Sequence, residues 1–98
     1  GAERFSTDWR DALADSIDLV DISTPNHLHE EQAVALLSAG KHVIVQKPIT
    51  PTVAGAKAIV DTAARVGKQA AVYMSDLEDA VAWDFRDLVQ SGYLGQIT

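Results

Sequence analysis

Along the chain, short β-branched runs alternate with stretches in which apolar residues recur every three or four positions. Asp18-Leu19-Val20-Asp21-Ile22-Ser23 reads as a strand, preceded by a short helical turn near Asp8 to Asp15. Thr24-Pro25-Asn26 is a turn, and Asn26 is the candidate N-cap of a helix. Glu30 and Glu31 then fall in the first turn, where the helix dipole favours anions. Ala33, Leu36 and Leu37 have i, i+3, i+4 spacing and form its buried stripe. Gly40 takes the C-terminal glycine position. His42 to Gln46 is a second strand, and its unbroken apolar centre predicts burial on both faces. Pro48 and Pro51 punctuate the next loop, and Thr52 caps a helix whose inner face is Ala56, Ile59, Val60, Ala63 and Ala64. Gly67 ends that helix. Gln69 to Met74 is a third strand. A third helix is expected from about Asp79 to Ser91, with Val81, Phe85, Leu88 and Val89 on one face and Gly92 as its stop. Gly95-Gln96-Ile97-Thr98 reads as the opening of another strand.

Strands alternating with helices imply βαβ units, a parallel sheet and right-handed crossovers. Three strands leave both edges of such a sheet open. The chain therefore reads as a piece of something larger. Its 98 residues make at most one small domain. The formal net charge is −6 and no Lys/Arg cluster exists, which argues against nucleic-acid binding through phosphates. No apolar run approaches the ~20 residues needed to span a bilayer, so no membrane partner is expected. Cysteine is absent, which excludes disulfides, thiolate catalysis and Cys-ligated zinc. The start at Gly1 is not a native initiator, and no signal-peptide pattern opens the chain. A cytoplasmic location is expected.

Polar residues gather at two strand ends. The first cluster is Ser23, Thr24, Pro25, Asn26, His27 and His29; the second is Gln46, Lys47 and Pro48. If the strands are parallel neighbours, both clusters lie at one edge of the sheet, beyond its carboxyl ends, where ligands of open α/β sheets bind. Met74, Ser75 and Asp76 come third along that edge. Lys47 is there a positioned cation or a proton donor and acceptor. A solvated lysine before a turn proline is the bland alternative. His27 and His29 are two residues apart and do not face each other on a helix, so no metal site is expected. Ser23, His29 and Asp21 are not a catalytic triad, because the strand–turn–helix elbow that presents a nucleophilic serine is missing.

Thr24-Pro25-Asn26-His27-Leu28-His29, then Ala39-Gly40-Lys41-His42-Val43, then Gln46-Lys47-Pro48 resemble the Gfo/Idh/MocA oxidoreductases, a family that includes glucose–fructose oxidoreductase and inositol dehydrogenases. The likeness ends with Gly92-Tyr93-Leu94-Gly95-Gln96-Ile97, where that family enters its second domain. It implies an α/β fold: a partial Rossmann-like, doubly wound parallel sheet of three strands alternating with helices, cut from a larger two-domain protein. Residues 1–92 would be the C-terminal half of an NAD(P)-binding Rossmann domain, and residues 93–98 the entry to a substrate domain not contained here. The implied reaction moves a hydride between NAD or NADP and a sugar, inositol or related polyol. By matching motifs, Ser23, Thr24, Pro25, Asn26, His29, Gln46, Lys47 and Pro48 would bind the cofactor, with His29 holding the first loop. Lys47 would also be catalytic, assisting proton movement at the reacting hydroxyl. Pro48 would fix its loop, a position compatible with a cis bond. Oligomerisation would run through the second domain.

Two departures stand out. The family usually places Glu where this chain has Gln46, which accepts a hydrogen bond but carries no charge and removes an anion from beside Lys47. The strand–Gly-x-Gly-x-x-Gly–helix unit and the acidic residue that selects the adenosine ribose are also absent, so this piece alone is expected to bind cofactor weakly and catalyse nothing. Other readings are a family member that binds a cofactor or protein partner without catalysis, a purely structural parallel-sheet module, and a phospho-receiver domain. The last fits poorly, because only one helix separates Asp21 from Lys47 and the paired N-terminal acids of a receiver are missing.

Overall fold

A computed structural model describes residues 3–75 and 79–96. The three expected strands form β1 (Leu19–Ile22), β2 (His42–Gln46) and β3 (Ala70–Tyr73). All pairs are parallel, in the spatial order β1-β2-β3, so β2 is central. Between them run α1 (His29–Ser38) and α2 (Val53–Val66), and α3 (Ala80–Gln90) follows β3. The expected N-terminal turn is a 3-10 helix at Trp9–Leu13, capped by the Asp8 carboxylate accepting from the Arg10 amide.

The core is a single layer between the sheet and one side's helices. Ile22, Val43 and Val45 pack with Ala33, Leu36 and Leu37 of α1 and with Ile59 and Ala63 of α2. Both crossovers advance in the same direction along the sheet, so right-handedness puts α1 and α2 on the same face. They pack directly against each other there. The opposite face carries Leu19, Asp21, Ile44 and Tyr73, none of them buried. This corrects the expectation that β2 is covered on both sides: Val43 and Val45 are buried while Ile44 between them is half-buried. An unbroken apolar run marks what a strand can bury, not what this chain places over it.

Helix ends follow the sequence in part. Thr52 caps α2, its Oγ1 accepting from the Gly55 amide at 3.0 Å. Gly40 and Gly67 have φ of +80° and +66°, a region in which a Cβ is penalised. Asn26 does not cap α1. It opens a 3-10 turn, Asn26–Leu28, whose N-cap is Pro25, and α1 starts only at His29. The inner face of α2 also differs: Ile59 and Ala63 are buried, but Val60 is 58% exposed and Ala64 is exposed. α3 matches its expected span, yet none of its residues is buried. The strand expected to open at Gly95 runs into residues outside those described.

Candidate functional site

The site grows from the carboxyl ends of β1 and β2. In the parallel ladder Ile22 stands opposite Val45, so Ser23 and Gln46 follow one step later at the same level. Gln46 in turn pairs with Tyr73 of β3. Ser23, Gln46 and Tyr73 thus form a polar row across the edge of the sheet, and the two predicted loops leave it side by side. Asp76, expected third along this edge, lies outside the described residues.

The first loop is held by its own polar groups. Ser23 Oγ donates to Asp21 Oδ1 at 3.1 Å. Thr24 Oγ1 donates to Gln32 Oε1 at 2.7 Å, and Gln32 is buried on α1. Pro25, Asn26 and His27 remain exposed at the tip. In the second loop the Lys47 amide donates to Gln46 Oε1 at 3.2 Å, which turns the Gln46 carboxamide back onto its own strand end. Lys47 and Pro48 are exposed, and the peptide bond between them is cis. The Lys47 ammonium has no hydrogen bond or ion pair among the described residues.

His29 joins the loops. Its ring is completely buried, with Nδ1 3.0 Å from the Pro48 carbonyl oxygen and Nε2 2.8 Å from the Thr24 carbonyl oxygen. Those bonds also show why no Ser23–His29–Asp21 relay exists. The imidazole is committed to two main-chain carbonyls, while Ser23 turns to Asp21. His27, on the exposed tip, takes no part.

The structure therefore brings together Ser23, Thr24, His29, Gln46, Lys47 and Pro48, and leaves Pro25 and Asn26 at the rim. Sequence reasoning passed over Gln32 and Tyr73. Gln32 stands one residue before the apolar stripe that begins at Ala33, and a buried amide in that place is a signal for a partner. Tyr73 was visible only as a strand residue. Its place beside Gln46 follows from register, which no local pattern supplies.

A profile of the Gfo/Idh/MocA group, described as an oxidoreductase family with an NAD-binding Rossmann fold, matches residues 1–74. The chain belongs to the Gfo/Idh/MocA oxidoreductase family. Levoglucosan dehydrogenase of Pseudarthrobacter phenanthrenivorans is 48% identical over 62 residues, covering 62% of this chain and 16% of that protein. The fold matches an NAD-binding protein from Listeria innocua with a TM-score of 0.85 at 34% identity, over 95% of this chain and 27% of the other. It also matches a biliverdin reductase from Synechocystis, solved with biliverdin and NADP+, with a TM-score of 0.80 at 34% identity, over 87% of this chain and 27% of that one. Relative to curated Gfo/Idh/MocA proteins the chain is short, spanning 16% of levoglucosan dehydrogenase and 29% of a Rhizobium meliloti oxidoreductase. As a family member it carries part of an NAD(P)-binding Rossmann fold. No helix among the described residues is long and apolar enough to cross a membrane.

Proposed function

We propose that this chain supplies the nicotinamide side of the cofactor site in an oxidoreductase that moves a hydride between NAD(P) and a hydroxyl-bearing carbon of a sugar, inositol or related polyol. The observation that carries the proposal is the pair of polar loops set side by side beyond parallel β1 and β2 and tied together through His29. The groups available there fit a nicotinamide nucleoside. Ser23 offers a hydroxyl, Asn26 and Gln46 offer carboxamides, and Lys47 an ammonium, all suited to ribose hydroxyls and an amide. A glycine-rich phosphate cradle is not part of this chain, which accords with residues 1–92 being the second half of a dinucleotide domain and 93–98 leading to a substrate domain.

When bound, the nicotinamide supplies the hydride chemistry. The residues of this chain do the rest. Pro25 and Asn26 at the loop tip would line the nicotinamide, and Ser23 and Gln46 would hydrogen-bond its ribose. Lys47, exposed at the adjacent strand end, serves the reacting hydroxyl, giving or taking its proton as the carbon is oxidised or reduced. A sugar-like substrate is supported by levoglucosan dehydrogenase among the relatives. A cytoplasmic location, where the reduced and oxidised cofactors circulate, completes the reading.

The test uses the full-length protein. Cofactor binding is followed by NADH and NADPH fluorescence, and turnover by absorbance with a panel of neutral sugars, anhydrosugars and inositols. Binding with turnover on that panel supports the proposal. Binding without turnover on any hydroxyl compound favours a non-catalytic cofactor-binding member instead.

A further inference from the structure

Asp21 is an acid in the interior of a strand, where aspartate is depleted. It lies on the open face of the sheet, opposite Ile44 of β2, with Leu19 two residues before it on the same face. Neither side chain can bond a carboxylate, and no cation pairs with Asp21 among the described residues. Among those residues its carboxylate has one partner. Ser23, two positions on and on the same side of the strand, donates from Oγ to Asp21 Oδ1 at 3.1 Å.

A serine hydroxyl has one proton to donate and two lone pairs with which to accept. A carboxylate only accepts, so the proton between the two side chains is the serine's, and it points at Asp21. Ser23 then faces a ligand at the strand end with lone pairs alone. Donation to a carboxylate also polarises the hydroxyl, which strengthens Oγ as an acceptor. Without Asp21 the hydroxyl would rotate freely, and a ligand would have to fix it.

We infer that Asp21 is a positioning residue for the cofactor: by accepting the Ser23 proton it sets Ser23 as an acceptor for a ribose hydroxyl of the dinucleotide. This rests on the cofactor reading above for the identity of the ligand. Asp21 touches no reacting atom and acts through Ser23. Both groups are exposed in the protein alone, where water competes for them. A ribose seated on Ser23 displaces that water, and the orientation of the hydroxyl then counts toward affinity.

Fluorescence titration of the full-length protein with NADH and NADPH measures the effect. Asp21→Val, a substitution that suits a strand, should weaken binding about fivefold, the worth of one hydrogen bond. At saturating cofactor, kcat should stay within about twofold, as expected where only binding is lost. Asp21→Asn retains an oxygen for the Ser23 proton and should bind as the native protein does. In a Ser23→Ala background, Asp21→Val should change nothing further, because the residue it acts through is gone. A merely structural aspartate would cost the same with or without Ser23. Native affinity in Asp21→Val, equal losses in the Asn and Val variants, or losses that add in the double variant overturn the inference. Dinucleotide analogues test the native protein and serve even if Asp21→Val does not fold. Each hydroxyl of the nicotinamide ribose is replaced in turn by hydrogen or by fluorine, and neither replacement can donate. At the position that meets Ser23, both analogues should bind about fivefold more weakly than the parent. Fluoro analogues that bind as tightly as the parent at both positions show that Ser23 does not accept there, and overturn the inference. If neither NADH nor NADPH binds the native protein, the cofactor reading fails and this inference with it. Any of the overturning results in a native protein that does bind them leaves the cofactor reading intact.

Discussion

Lys47 and Gln46 are neighbours with opposite degrees of commitment. The Lys47 ammonium is exposed and without a partner among the described residues, whereas the Gln46 carboxamide oxygen already accepts from the Lys47 amide. An exposed, unpaired lysine contributes little to stability, so Lys47→Met should leave the unfolding midpoint unchanged, within about 0.5 kcal/mol. If the amine handles the proton of the reacting hydroxyl, the same variant should lower kcat by about 10² to 10⁴, the usual worth of a positioned acid or base. Cofactor affinity should change far less. Steady-state kinetics beside a fluorescence titration in the full-length protein separates the two effects, and a kcat that survives the substitution would remove Lys47 from the chemistry. Gln46→Glu tests the neighbour. One carboxylate oxygen would keep the bond to the Lys47 amide and leave the other free to accept from a ribose hydroxyl with full charge. Charge-assisted bonds are about twice as strong as neutral ones, so the cofactor Kd should fall several-fold. An unchanged Kd would mean that residue 46 does not meet the ribose.

At the scale of elements, the pattern of the sequence was legible wherever local chemistry decides. The Thr52 cap, the glycine stops and the Ala33, Leu36, Leu37 stripe all stand as expected. It was not legible where the answer depends on which face a neighbour covers. Val60 has the same apolar character as Ile59 and the next place in the chain, yet Ile59 is fully buried between the helices and sheet while Val60 is 58% exposed. The wheel of α2 turns by about 100° per residue, so adjacent positions fall on different sides of the boundary that α1 and the sheet impose. The two substitutions should accordingly diverge. Ile59→Ala should cost about 3 kcal/mol through lost burial and the cavity left behind, and Val60→Ala should stay within about 0.5 kcal/mol. Thr52→Ala should cost about 1 kcal/mol, because the Gly55 amide loses its acceptor. Urea melts followed by far-ultraviolet circular dichroism measure all three. Equal losses at Ile59 and Val60 would mean that α2 is rolled about its axis, with Val60 turned in toward α1 and the sheet. The candidate site shows the same division. The motifs at residues 23–29 and 46–48 could be read from the chain, but the joining of the loops through the Thr24 and Pro48 carbonyls could not, since main-chain acceptors leave no trace in a sequence.

The whole molecule is extended for its length. Its radius of gyration is 17.2 Å, against about 13 Å for a compact domain of this size. Its last helix, α3, buries none of its residues. α3 has an apolar face, but Val81, Phe85 and Leu88 on it are 71%, 59% and 38% exposed, and Trp83 on the other side is 47% exposed. Within α3, Arg86 stacks 4.2 Å over the Trp83 ring. The hydrophobic core contains no residue from α3. Two consequences follow from that geometry. A chain ending at Ser75 should unfold at the same urea midpoint as the 98-residue chain, because none of the described residues removed is buried. It should also remain monomeric to higher concentration, since the exposed Val81, Trp83, Phe85, Leu88, Tyr93 and Leu94 that could associate are gone. Circular dichroism melts and sedimentation velocity on the two chains give the answer. A midpoint that falls on truncation would show that α3 folds back over the open face of the sheet, near Ile44 and Tyr73, and that this face is covered from within the chain. An unchanged midpoint with lost self-association leaves the open face and the apolar side of α3 as separate surfaces, each unburied by the described residues of a chain that spans only 16% of levoglucosan dehydrogenase.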